Sequence, residues 1–320
     1  MRLTARSFAV LVVLAILAVV PAISAWTEVP FWTDFARRMM ILSIGALSLN
    51  LLMGYGGMIS FGHAVYIGLG AYTVGICAFH GVTDGFVQLA IALVVSALVA
   101  LVFGAISLRT RGVYFIMITL ALAQMVFYLG VGLEKYGGDD GLPINRSSDF
   151  AGLINLKDSV PFYYLTFALL LLALLFVQRL VNSRFGMVIQ GIRSNEARMQ
   201  ALGHPTLRYR LTAFVIAGMM AGLAGVLLAN HTNFANPEMM HWTRSGDLIV
   251  MVLLGGMGTV AGPVIGTVVY LALEEFLAGF TEYWQLIIGP FLVLVVLFAR
   301  GGLLGFLPDG RGPHGSKRDG

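Results

Sequence analysis

The chain has 320 residues, 58% of them hydrophobic and 11% charged, and its mean hydropathy is +0.86. A soluble domain carries about 25% charged residues, so these side chains cannot cover a water-facing surface, and a soluble fold is excluded. The net charge of +4 makes no case for a nucleic-acid partner, and the single Cys77 excludes both an intrachain disulfide and a Cys-based zinc or iron–sulfur centre.

Ten apolar segments follow in chain order, at 7–25, 36–53, 58–79, 86–107, 112–132, 161–179, 211–230, 247–257, 262–280 and 284–300. Several reach the ~20 residues that a helix needs to cross the hydrocarbon core. The short alternating segments of a β-barrel are missing. The expected fold is all-α, a polytopic transmembrane helical bundle of about ten segments (range eight to ten). The membrane domain is assigned to residues 1–306, and residues 307–320 to a disordered cytoplasmic tail.

The first segment follows Arg2 and Arg6 and ends in Pro21-Ala22-Ile23-Ser24-Ala25, which imitates a secretory signal peptide. It is read as an uncleaved first helix, because a polytopic chain inserts through its own apolar segments.

The second segment contains Asn50 and runs into Gly54-Tyr-Gly-Gly-Met-Ile-Ser60-Phe-Gly62-His63, with Gly57 at its centre. Such breaks can serve close packing, or can line a cavity on a substrate path. Asn50, Gly54, Gly57, Ser60 and His63 are therefore path candidates, as is Gln124 in the fifth segment. For His63 the competing reading is a hydrogen-bonded scaffold residue. The long polar piece 133–160 holds Gly137-Gly-Asp-Asp-Gly-Leu-Pro143, which is strong turn chemistry.

Residues 179–210 form a basic stretch with six arginines against the single acid Glu196. Residues 184–202 are expected to form one short amphipathic helix, stopped by Gly203 and Pro205. Composition alone leaves two uses open, contact with anionic headgroups or docking of a soluble protein.

Farther on, Gly218-x-x-x-Gly222 and Gly258-x-x-x-Gly262-x-x-x-Gly266 have the spacing that lets helices approach closely in lipid. The eighth segment is too short for a perpendicular crossing. It can be one half of a broken helix with the ninth, interrupted at Gly255-Gly256-Met257-Gly258-Thr259, so Gly255, Gly256 and Gly258 join the path candidates. This run echoes Gly56-Gly57-Met58-x-Ser60 at an offset of 199, as an internal repeat or as shared packing chemistry. Glu274 and Glu275 lie in the ninth segment, where carboxylates are costly, although its outer end could let them reach water.

Strict alternation with the N-terminus inside puts 14 of the 20 Lys and Arg on the inner side. Both termini are then cytoplasmic. Merging the eighth and ninth segments would export the basic C-terminal tail, which argues for ten crossings.

No Gly-x-x-x-x-Gly-Lys-[Ser/Thr] occurs, so the chain has no Walker A loop of its own. Metalloprotease and serine-hydrolase motifs are missing too, and no enzyme is expected. Gly256-x-Gly258-x-x-Ala261 matches a dinucleotide fingerprint only formally, in an apolar run without a strand–turn–helix unit.

Several of these runs together carry a family resemblance. They are Arg193-Ser-Asn195-Glu196-Ala197-x-x-x-Ala201-Leu202-Gly203, Asn50-Leu-Leu-Met-Gly54-Tyr-Gly-Gly-Met-Ile-Ser60-Phe-Gly62-His63-Ala64 and Gly68-x-Gly70-Ala-Tyr72. Gly138-Asp-Asp-Gly-Leu142, Leu254-Gly-Gly-Met-Gly258-Thr and Gly262-Pro-Val-Ile-Gly266 complete the set. In order, over about residues 36–306, they resemble the LivM-type permeases of ABC importers for branched-chain amino acids.

The resemblance implies an inner-membrane subunit without catalytic residues or a bound cofactor, ATP being used by partner chains. The implied partners are two cytoplasmic ATP-binding subunits, a second related permease and a periplasmic substrate-binding protein. Residues 193–203 would sit in a cleft of an ATPase, with Arg193, Asn195, Glu196, Ala197, Leu202 and Gly203 as the coupling residues. Ser194 and Arg198 stand where the family often has an acid and a second alanine, a departure that bears on partner choice. Urea or amide permeases of the same superfamily and a stand-alone secondary transporter are the alternatives.

Overall fold

The computed structural model describes residues 5–144, 148, 149, 158–281, 283, 286–290 and 302–306. Among these, helices dominate: α1 (Ala5–Thr27), α2 (Phe31–Asn50), α3 (Ala64–Phe79), α4 (Gly85–Ser107), α5 (Val113–Val131) and α6 (Ser159–Asn182). Then come α7 (Arg184–Ser194), α8 (Glu196–Ala201), α9 (Thr206–Thr232), α10 (Trp242–Gly255) and α11 (Gly262–Ala278). Among the described residues six helices are long and apolar enough to cross a membrane. They are α1, α2 with the wide turn that extends it to Tyr55, α4, α5, α6 and α9. Three other expected segments correspond to the shorter α3, α10 and α11, and the tenth, 284–300, lies mostly outside the described residues, as does the tail 307–320.

Burial separates a core from a lipid-facing shell. The best membrane window of α2 is 89% buried and that of α9 is 61%, against 17% for α1 and 22% for α5. Apolar side chains facing lipid carry no cost, so shell helices are apolar all round, while central ones must fit backbones together. The glycines of α9 show how. A Cβ at Gly218 would lie 2.7 Å from Ala100 Cβ, and one at Gly222 2.9 Å from Ser96 Cβ, so α9 seats directly on α4. The expected close-packing use of this pair is observed.

In the second Gly series Gly262 and Gly266 also pack closely, against Gly255, and segments eight and nine are two helices rather than the halves of one broken helix. α10 and α11 fold back on each other, with the Tyr270 hydroxyl donating to Asp247 at 3.2 Å and Gly266 against Gly255, where a Cβ on Gly266 would lie 2.6 Å from Gly255 N. They form an antiparallel hairpin, and residues 256–261 are its bend. With 14 and 17 residues, the arms are about 21 and 25 Å long at 1.5 Å per residue.

Helix starts also move. α2 begins at Phe31 after Pro30, and α9 at Thr206 after Pro205. α3 begins only at Ala64, because residues 56–63 stay non-helical. The piece 133–160, described to Ile144, at Ser148 and Asp149, and from Asp158, is held by pairings with residues far along the chain. Leu142 pairs with Ala235 and Pro143 with Phe234 in a two-residue antiparallel ladder. Ser148 N donates to Asn230 Oδ1 at 3.0 Å.

Candidate functional site

The basic stretch forms two helices rather than one. Asn195 has extended backbone (φ −158°, ψ 99°), which ends α7, and its side chain accepts from Arg198 N at 2.9 Å, which caps α8. An Asn cap satisfies a free N–H at a helix start, so the break is written into the sequence. The end of α8 is equally well defined. Gly203 N donates to Gln200 O at 2.9 Å and His204 N to Met199 O at 3.1 Å, with Gly203 at φ +85°. These are the paired bonds of a Schellman cap.

α8 has an inner and an outer side. Glu196 turns inward: it accepts from the Thr206 hydroxyl at 3.1 Å and pairs with Arg210 and Arg111, each at 3.4 Å. Its side chain is only 17% exposed. Ala197, Arg198, Ala201 and Gly203 face outward, as does Leu202, which is 68% exposed. A leucine this exposed, on a charged element, leaves an apolar spot with no partner on this side of the chain.

Arg193, at the end of α7, reaches the other way. Its guanidinium donates to the carbonyl of Gly54. A Cβ on Gly57 would stand 3.1 Å from Arg193 Cγ, and one on Gly258 3.5 Å from Arg193 Nη1. The α7–α8 element thus touches both Gly-rich runs.

Asn50 clamps those runs together. Its amide donates to Thr259 O at 2.8 Å and accepts from Gly258 N at 3.0 Å. Asn50 is fully buried, and a Cβ on Gly54 would come 2.6 Å from Gly258 N. The two runs that echo each other in sequence therefore lie face to face.

The remaining candidates divide. Gly255 ends α10 and Gly256 opens the α10–α11 bend. Ser60 and His63 are buried at the entry to α3, where Ser48 Oγ and His63 Nε2 are 2.7 Å apart and Ser60 Oγ accepts from Gly62 N. The other ring nitrogen of His63, Nδ1, is buried without a hydrogen-bond partner among the described residues. Gln124 lies apart from the cluster: its Nε2 is 3.4 Å from His241 Nε2, at the opposite end of α10 from Gly258. The sequence reading missed Arg111, Thr206 and Arg210 as the holders of Glu196. They lie outside α8, Thr206 and Arg210 on α9 and Arg111 before α5, so only the fold could pair them.

The family model described as "Branched-chain amino acid transport system / permease component" matches residues 31–297. The chain is 31% identical over 294 residues to the high-affinity branched-chain amino acid transport permease protein LivM of Salmonella typhimurium, covering 85% of this chain and 69% of that one. It is 25% identical over 281 residues to the permease protein LivH of Escherichia coli, covering 81% and 90%. The L-arabinose ABC transporter permease protein AraH of Azospirillum brasilense is 26% identical over 269 residues, covering 81% and 74%. No solved structure matches the chain. With the family model covering 31–297 and the LivM identity extending over most of the chain, this protein belongs to the permease components of branched-chain amino acid ABC transport systems and is not an enzyme.

Proposed function

We propose that this permease carries branched-chain or related apolar amino acids across a bacterial cytoplasmic membrane by alternating access. Energy arrives from two cytoplasmic ATP-binding subunits, a second permease chain completes the channel, and a periplasmic binding protein delivers substrate. ATP is bound by the partner subunits and not by this chain. In this reading about ten segments cross the membrane, with both termini cytoplasmic. Contacts that sort into two ends support that alternation. Residues 54, 111, 193, 196, 210 and 258 meet at one end, and residues 38, 142, 148, 230, 235 and 274 make theirs at the other.

The observation that carries the coupling role is the two-sidedness of α7–α8. Ala197, Arg198, Ala201, Leu202 and Gly203 face out toward a docked ATPase, while Arg193 contacts the backbone of Gly54 behind them. Asn195 and Glu196 shape and tether the element rather than meeting the partner. A push on the outer side moves Arg193, and Arg193 moves the junction of Gly54, Gly57 and Gly258 that Asn50 holds closed. Irregular Gly-rich backbone is where a helical bundle can flex.

The test is reconstitution in proteoliposomes with the ATPases, the sister permease and the binding protein. Leucine uptake that requires ATP and every subunit is expected. Uptake by this chain alone would instead make it a secondary carrier.

A further inference from the structure

At the end of the bundle opposite the Arg193–Gly54 junction lies a cavity of about 350 Å³, within the usual range for small-ligand pockets. It is built amphipathically. Leu42, Leu248, Met251 and Leu271 supply apolar walls, while Arg38, Arg244, Glu238, Asp247 and Glu274 line it with charge. These charges form a belt. Arg38 is 3.4 Å from Glu274, Arg244 is 3.3 Å from Glu238 and 3.6 Å from Asp247, and Tyr270 holds the second Asp247 oxygen.

Two features make this more than a polar rim. Charges on membrane-inserted helices are costly and mark functional positions by default, and here α2, α10 and α11 each contribute. The pairs are also loose, at 3.3–3.6 Å with Arg244 half exposed. A ligand carrying one positive and one negative charge can exchange with them without leaving any charge unpaired. An apolar tail on that ligand would lie on Leu42, Leu248 and Met251.

Building on the transport reading above, we infer that this cavity is a transient site for the zwitterion of an apolar α-amino acid. Arg38 or Arg244 takes the carboxylate, the acids take the ammonium, and the side chain points to the apolar wall. Substrate then passes through a site on the permease itself after leaving the binding protein.

The test uses the assembled importer in nanodiscs without binding protein, and equilibrium binding of tritiated L-leucine. Saturable binding is expected, weakened at least tenfold in Met251→Trp and in at least one of Arg38→Gln and Arg244→Gln, and kept in Met251→Leu. Neither 4-methylpentanoate, which lacks the amine, nor isopentylamine, which lacks the carboxylate, should compete as leucine does. No leucine binding by the wild type, or binding indifferent to all three variants, overturns the inference. So does equal competition by the one-charge analogues, which would make the cavity an acyl-chain site. Variants that lose uptake but keep leucine binding also overturn it, assigning the charges to docking of the binding protein. Failure of the transport reading shows separately, as absence of ATP-dependent uptake by the complete wild-type importer.

Discussion

The guanidinium of Arg193 donates to the backbone carbonyl of Gly54, joining positions 139 residues apart. One partner belongs to the element expected to meet the ATPase, the other to the Gly-rich break that ends the most buried helix. A charged donor on a carbonyl is worth about 1.5–3 kcal/mol, and the carbonyl is free to accept because the helix unwinds beyond it. No other described side chain links α7 so directly to that break.

Arg193→Ala should therefore uncouple the transporter without dissolving it. The ATPases should still co-purify, since the outward face of α8 is unchanged. Stimulation of ATP hydrolysis by the loaded binding protein should fall roughly 10- to 150-fold, the bond's worth at 1.4 kcal/mol per tenfold. Arg193→Lys should recover part of it. Normal stimulation in the alanine variant would remove Arg193 from the relay.

Asn50 makes two hydrogen bonds from a fully buried position. Replacing it by Leu leaves Gly258 N–H and Thr259 C=O unpaired, at about 1–3 kcal/mol for each group. Asn50→Asp keeps the acceptor for Gly258 N but loses the donor to Thr259, and adds a buried charge. Both variants should lower the melting temperature of the purified permease in detergent, followed by size-exclusion of heated samples. Asn50→Leu should also raise basal ATP hydrolysis, by loosening the junction that α7 presses on. An unchanged melting profile would show that the clamp is dispensable.

The long apolar spans and the close packing of Gly218 and Gly222 were readable in the sequence, because length and small-residue spacing are local properties. The role of Asn195 was partly readable: a capping residue stood in plain view, but the apolar periodicity of residues 184–202 ran through it and favoured one helix. The α10–α11 hairpin was legible only as an interruption, since a Gly-rich bend and a Gly-rich kink share one composition. What decides between them is the meeting of Gly255 with Gly262 and Gly266, a tertiary fact. Glu196 stood out in the sequence as a coupling residue, and its pairing within the chain with Thr206, Arg210 and Arg111 did not. The arginines that hold it inward come from the loop before α5 and from α9, and no pattern within the coupling stretch announces them.

The hairpin gives its own prediction. A methyl on Gly255 would run into the carbonyl of Gly262, and one on Gly266 would lie 2.6 Å from Gly255 N. These neighbours are backbone and cannot swing aside, so Gly255→Ala and Gly266→Ala should each force the arms apart. Expected are low yields of folded permease and loss of the monodisperse peak. Gly246→Ala, on the same hairpin but with open space around its Cβ, should be tolerated. Equal behaviour of all three would refute the packing argument.

The two sides of α8 separate docking from tethering. Leu202 is 68% exposed and touches the proposed partner side, so Leu202→Asp should abolish co-purification of the ATPases while the permease stays folded. Gly203→Asp should do the same. A Cβ at Gly203 would meet nothing within 4 Å among the described residues, and its φ of +85° costs a non-glycine residue only about 1–2 kcal/mol, so a severe loss must come from the partner. Glu196→Ala should behave differently, because it removes the bonds to Thr206, Arg210 and Arg111 and leaves the outer surface intact. It should weaken ATPase binding a few-fold and uptake more, with Thr206→Val reproducing a smaller part of the defect. Titrating labelled ATPase against each variant in nanodiscs gives the comparison. If Glu196→Ala abolishes binding as completely as Leu202→Asp, the inward tether is the wrong account and Glu196 meets the ATPase directly.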